Sequence, residues 1–398
     1  MHERARTRAP VLTTNLDHLR WLAAMMVVVQ HCRGFVTQDY SPHAGAFAKL
    51  VYALTGFSHQ AVVLFFVISG YLVGGKALRL LKGGVTDTQA RRFFTDRFSR
   101  IFIVLWPALA IIAAIALLAP EAPILRTDAW VSGLPDVRYW STPATFAAAA
   151  VLVNDMVTPS VGWDQPLWSL AFEWTYYMIA AGILFAAARG RSAFGVAIIV
   201  YALALVVLSA FTRGMILAMF PFWVAGALAS TVRRLRLPWL TLPLFLLALL
   251  AARIPVFPWL QDAFVALATA LLLADNWFRE KQPAPRLGHS LAAFSFSLYA
   301  LHVPIVLLAL AILQKAGYLP TRLPPGPAAY GLILALAALA YLVCWAFAQA
   351  TERNTDRLRD RLSPWLVGRP ARAASPADEP VSAELENVAP PLPRSESA

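Results

Sequence analysis

Charge is what this chain has least of. Asp, Glu, Lys and Arg make up 14% of its 398 residues, where soluble globular chains carry roughly 25%. So few charged groups cannot cover a water-facing surface when 59% of the residues are hydrophobic, which excludes an ordinary soluble fold. Cysteine is almost missing too. Cys32 and Cys344 lie far apart inside apolar runs, which excludes a disulfide framework and a cysteine-built metal site and leaves packing as their role. No metal is expected. The amino terminus has Arg4, Arg6 and Arg8 but lacks a compact apolar core followed by a small-residue cleavage site, so no cleaved signal peptide is expected. Acidic residues are outnumbered, 22 against 34 basic, for a net charge of +12. The basic residues are scattered over short segments between apolar runs and form no stripe, so nucleic acid is set aside and the lipid bilayer is the expected partner.

What the chain does have is long uncharged stretches. Crossing the hydrocarbon takes about 20 predominantly apolar residues in a helix. Six stretches meet this, between Lys49 and Lys76, Arg100 and Glu121, Arg191 and Arg213, Arg213 and Arg233, Arg286 and Lys315, and Arg322 and Glu352. Four more are interrupted or short: 16–34, 166–188, 237–252 and 258–274. The expected architecture is therefore an all-α, polytopic membrane bundle of about ten transmembrane helices. With both termini cytoplasmic, 26 of the basic residues fall on inner segments and 8 on outer ones, the asymmetry the positive-inside bias demands. The expected order is a cytoplasmic segment over 1–15, a membrane domain over 16–352, and a cytoplasmic tail over 353–398. Beyond about residue 370 the tail turns to Ala, Pro, Ser and Glu without apolar periodicity and reads as disordered. The outer connection 121–165 contains the uncharged stretch 141–154, too short to cross and expected to lie at the surface or dip into the protein.

Ionisable groups inside a bilayer are expensive, so each one within a span is a functional hypothesis. In the first span Asp17, Arg20 and His31 interrupt the apolar run. The step from Arg20 to His31 returns to within about 20° of the same helix face, and the two stand roughly 16 Å apart along the axis. Asp17 is one turn before Arg20, at pairing distance. Arg20 also reads as a snorkelling interfacial arginine, and Asp17 as a cap. His31 is either a general base for an acceptor hydroxyl or a buried histidine satisfied by a carbonyl. Glu173 lies roughly two turns inside its span, where it would hold the His31 imidazole, stabilise its protonated form or bind acceptor hydroxyls. Arg91, Arg92, Arg97 and Arg100 cluster at the inner end of the third span. Arg97 and Arg100 have the spacing to grip phosphates, although inside-positive anchoring alone would give such a cluster. His302 is a second polar group or a satisfied core histidine. Ser69 and Gly70 most simply permit close helix contact, since Ser69 lacks a nucleophile elbow; Ser69 and His302 are carried as substrate-facing candidates.

These motifs together resemble acyltransferase family 3, the integral-membrane O-acyltransferases. The matches are LDHLRWLAAMMVVVQH with Asp17, Arg20 and His31, FFVISGYL around Ser69 and Gly70, RFSRI with Arg97 and Arg100, PLWSLAFE ending at Glu173, and SFSLYALHVPI with His302. They occur in family order. His18, the delayed Pro107, and Ala300 and Val303 beside His302 depart from the common pattern. The resemblance implies a ten-helix core in the cell (inner or plasma) membrane and an acyl-CoA donor, acetyl-CoA above all, reached from the cytoplasm. The implied acceptor is a hydroxyl of a cell-envelope carbohydrate, a lipid-linked sugar or a secreted small molecule. His31, Glu173, Arg20 and Asp17 would serve the chemistry, and Arg97 and Arg100 the donor. The rival from another class is a multi-pass transporter of a sugar or anionic solute; against it, no pair of Gly/Pro-broken spans marks two matching halves.

Overall fold

The computed structural model describes residues 13–126, 136–190, 192–211, 214–232, 235–254, 257–279 and 290–368, and every regular element among them is helical. The segment 1–12 and the tail beyond 368, including the part expected to be disordered, lie outside the described residues.

The chain opens with α1 (Thr13–Val36), then α2 (Ala46–Leu54) and α3 (Ser58–Ser69). A π-helical turn, Gly70–Gly74, carries α3 directly into α4 (Gly75–Lys82). Next comes α5 (Asp87–Leu118), whose start is fixed by reciprocal capping between Thr86 and Gln89. At 1.5 Å per residue it is roughly 48 Å long, well beyond a hydrocarbon core of about 30 Å, so its charged first third projects from the apolar layer. Six stretches of the described residues are long and apolar enough to cross a membrane: Ala46–Lys82, Asp87–Leu118, Leu167–Ala187, Ala193–Phe211, Ser295–Lys315 and Pro327–Leu366. Large apolar side chains such as Leu118, Leu203, Phe211 and Leu342 stand exposed on the outside of the bundle, an arrangement suited to lipid contact.

The structure redistributes two of the expected spans. The uncharged stretch between Arg213 and Arg233 yields only the 15-residue α9 (Met215–Ala229), because Gly214 begins it from the left-handed region at φ +65° and Ser230 caps its end. Conversely 166–188, marked as interrupted by Glu173, forms the unbroken 21-residue α7 (Leu167–Ala187), since Tyr177 one turn later satisfies the carboxylate. Between α5 and α7 lies α6 (Pro143–Ala150), and α8 (Ala193–Phe211) follows α7. Then come the short apolar α10 (Pro238–Ala251) and α11 (Pro258–Ala274), and the full-length α12 (Ser295–Lys315) and α13 (Pro327–Ala350). Last is α14 (Thr355–Leu366), which packs on α5 and receives a hydrogen bond from Arg91 Nη1 to the Leu366 carbonyl.

The connection between α5 and α7 does enter the protein. After α6 the chain turns through Leu152 and Asp155, both at positive φ, and Leu152, Asn154, Trp163 and Asp164 are fully buried. The carbonyl of Pro166 accepts from the Tyr299 hydroxyl on α12, which ties this loop to the bundle interior. The site helices meet because α1 packs on α3, α12 and α13, while α5 packs on α7 and α12.

Candidate active site

On α1 the wall foreseen from helical spacing carries Asp17, Arg20 and His31. Arg20 Nη1 is 3.6 Å from Asp17 Oδ1, and its Nη2 donates to Ser295 Oγ at 3.0 Å. At the far end of that wall His31 Nδ1 lies 2.8 Å from Nε2 of His302 on α12, with the two rings only 7° from parallel. His302 is fully buried. Its Nδ1 faces the carbonyls of Leu298 and Tyr299 at 2.9 and 3.0 Å.

Arg20 reaches into a cavity of about 350 Å³. Arg97, Arg100 and Glu173 share it, together with Ser69, Ser169, Tyr177, Ser295 and Tyr299 and the apolar side chains of Phe65, Phe66 and Phe296. Arg97 and Arg100 reach it because they stand on one face of α5 near the depth where its charged third meets the apolar layer. Among the described residues neither makes a hydrogen bond or an ion pair, and the buried Nε of Arg97 has no partner. Forked donors left unsatisfied inside a protein suit a phosphate-bearing or otherwise anionic ligand. The rest of the arginine cluster is used differently: Arg91 is spent on Asp87 at 2.5 Å and on the Leu366 carbonyl, and Arg92 is exposed.

The two histidines do not line this cavity. Tyr299 does, and its ring centroid is 6.3 Å from that of His302, so Tyr299, hydrogen-bonded to Ser169 in the same lining, links the cavity to the histidine pair. Glu173 does not hold His31. Its Oε1 accepts from the Tyr177 hydroxyl at 2.5 Å, while the role foreseen for it beside the imidazole is filled by His302. Ser69 lines the cavity, but its hydroxyl donates to Tyr177 and accepts from Trp223.

With this geometry in place, comparison with known families is informative: the model of an acyltransferase domain matches residues 13–349. The chain belongs to acyltransferase family 3. It is a multi-pass membrane acyltransferase. No curated protein and no solved structure matches it.

Every site residue from Asp17 to His302 of this acyltransferase lies inside the matched region. Four groups escaped the sequence reading. Tyr177, Trp223 and Tyr299 are aromatic residues in spans full of aromatics, and only their hydroxyl or indole contacts distinguish them. Glu352 looked like the end of the last span. It instead accepts from the Ser297 backbone N–H and hydroxyl at 3.1 and 3.0 Å and interacts electrostatically with Arg100 and Arg20. Its position after a charge-free run of apolar residues was the available signal.

Proposed function

We propose that this acyltransferase moves an acyl group, acetyl in the first instance, from coenzyme A to a hydroxyl of a cell-envelope carbohydrate, a lipid-linked sugar or a secreted small molecule. The observation that carries the reading is the His31–His302 pair. A carbonyl only accepts, so His302 Nδ1 must carry hydrogen; its Nε2 then accepts from His31 Nδ1–H. That leaves the lone pair of His31 on Nε2, the tautomer a general base requires. Histidine oriented by a hydrogen bond on its other nitrogen is the logic of hydrolytic triads, with His302 and two carbonyls in the place of the carboxylate.

In this reading Arg97 and Arg100 hold the donor's phosphates from the cytoplasmic side, with Arg20 near the entrance, while the thioester reaches toward His31. His31 Nε2 takes the acceptor's hydroxyl proton as that oxygen bonds to the thioester carbonyl carbon. The tetrahedral intermediate then collapses, the carbon–sulfur bond breaks, and the leaving thiolate receives the proton from the imidazolium. Glu173 presents its second oxygen to the acceptor or to charge developing nearby. An acyl group held transiently on His31 Nε2 would use the same nitrogen. The membrane arrangement that serves this is ten crossings with both termini cytoplasmic, in the cell membrane. It consists of the six full-length stretches, α1, and the shorter α9, α10 and α11, supported by the basic-residue asymmetry. The transporter reading loses its ground to the family membership.

The test is incubation of the purified protein with radiolabelled acetyl-CoA and an envelope-lipid extract, with longer acyl-CoAs in parallel. Acceptor-dependent release of free coenzyme A, with label in the lipid or carbohydrate fraction, is expected. Labelled acceptor formed only from a longer acyl-CoA would replace acetyl as the donor group, and an equal rate from His31→Gln would overturn the mechanism.

A further inference from the structure

Building on the proposed site, we infer that Tyr177 is a positioning residue. It terminates a one-way hydrogen-bond chain, Trp223 to Ser69 to Tyr177 to Glu173, that keeps the Glu173 carboxylate from collapsing onto the donor-binding arginines.

The direction of the chain is forced by chemistry. An indole N–H can only donate, so Trp223 Nε1 gives its hydrogen to Ser69 Oγ at 3.2 Å. A carboxylate only accepts, so the Tyr177 hydroxyl gives its hydrogen to Glu173 Oε1 at 2.5 Å. The Ser69 hydrogen then points at the Tyr177 oxygen, 3.1 Å away. All three hydrogens run toward Glu173.

The far end is anchored by backbone contact. A Cβ on Gly70 would sit 1.8 Å from the Trp223 carbonyl oxygen, and one on Gly226 would sit 1.9 Å from that of Val67. The π turn and α9 therefore touch with nothing between them, and Trp223 cannot shift without moving both helices. Ser69 sits at the last position of α3, immediately before that π turn, a kind of irregularity often found at functional sites.

The need for such a chain follows from the cavity. Glu173, Arg20, Arg97 and Arg100 line one cavity set into the protein, where opposite charges attract more strongly than in open water. Yet among the described residues no ion pair joins Glu173 to any of the three. Tyr177 stands between Glu173 and Arg97, with the Arg97 guanidinium 6.0 Å from its ring centroid and its hydroxyl on Glu173. Held this way, the guanidiniums stay open to an anionic donor and the carboxylate to the acceptor. A Tyr177 that only filled space would have no bearing on donor affinity, since its ring would pack as well without the hydroxyl.

The experiment is coenzyme A binding by calorimetry on the full-length detergent-purified protein, alongside turnover. Tyr177→Phe keeps the ring and frees the carboxylate, so it should weaken coenzyme A binding on the order of tenfold and lower turnover by a similar factor. In the double variant Tyr177→Phe/Glu173→Gln no negative charge remains to collapse, and binding should return to the wild-type level while turnover stays low. Ser69→Ala should reproduce a weaker form of the Tyr177→Phe effect. Unchanged binding in Tyr177→Phe, or weakened binding that the double variant fails to restore, would overturn the inference. Normal turnover by Glu173→Gln alone is a different result: it would remove Glu173 from the proposed chemistry.

Discussion

The 2.8 Å contact between His31 Nδ1 and His302 Nε2 is polarised in one direction, because the two carbonyls at His302 Nδ1 oblige His302 to accept through Nε2. When His31 Nε2 gains a proton, the resulting imidazolium keeps the same hydrogen bond, strengthened by its charge. His302, a substrate-facing candidate in the sequence, thus orients His31, the residue proposed as the base.

His31→Gln should abolish acyl transfer, since an amide keeps polar capacity but supplies no base near neutral pH. His302→Gln should lower kcat by roughly a hundred- to ten-thousandfold, the range general-base catalysis covers, with coenzyme A affinity unchanged. Steady-state kinetics with both substrates varied would check this. Near-normal kcat in a well-folded His302→Gln protein would disconnect the pair from catalysis.

The arginine cluster should split by function. Arg97→Ala and Arg100→Ala should each raise the donor KM on the order of tenfold through lost phosphate contacts, while the acceptor KM stays put. Arg91→Ala should leave both constants alone and instead lower the melting temperature, since Arg91 joins Asp87 and the end of α14. A donor KM that responds to Arg91 as strongly as to Arg97 would reduce the whole cluster to membrane anchoring.

Sidedness is open to cysteine labelling, and the two native cysteines, Cys32 and Cys344, are buried, which gives a quiet background. A cysteine at the exposed position Thr88, at the start of α5, should react only from the cytoplasm. One at Tyr139, 70% exposed in the connection between α5 and α6, should react only from outside. Reaction of both with the same impermeant reagent applied to intact cells would sink the ten-span topology.

Asp164 offers a test of pH-dependent stability. It lies in the inward-folded loop, fully buried, and neither carboxylate oxygen has a hydrogen-bond partner among the described residues. Burial pushes its carboxyl well above the usual carboxylate range. A carboxyl raised on folding contributes stability that is fully present below its unfolded value, about 3.9, and is lost as pH rises through the folded value. Asp164→Asn removes that dependence. Thermal melting across a pH series should therefore show the wild type losing ground to Asp164→Asn as the solution becomes more alkaline. Parallel curves for the two proteins would mean that the carboxyl is solvated.

The sequence by itself determined the class of this protein. Scarcity of charge dictates a bilayer, the spacing of apolar runs dictates helices within it, and ordered motifs carrying Asp17, Arg20, His31, Ser69, Arg97, Arg100, Glu173 and His302 point to acyltransferase family 3. The first two inferences use composition and local periodicity and the third a resemblance of motifs, all of them properties read along the chain. What the chain could not reveal is which polar groups meet. His31 and His302 are separated by 271 residues, and Ser69 and Trp223 by 154; each pairing depends on how helices pack across the bundle. Apolar helices can pack against one another in many registers of similar energy. Only the assembled interior, where Gly70 and Gly226 let two backbones touch and most buried polar groups find partners, selects the register that pairs His31 with His302 and hands Glu173 to Tyr177.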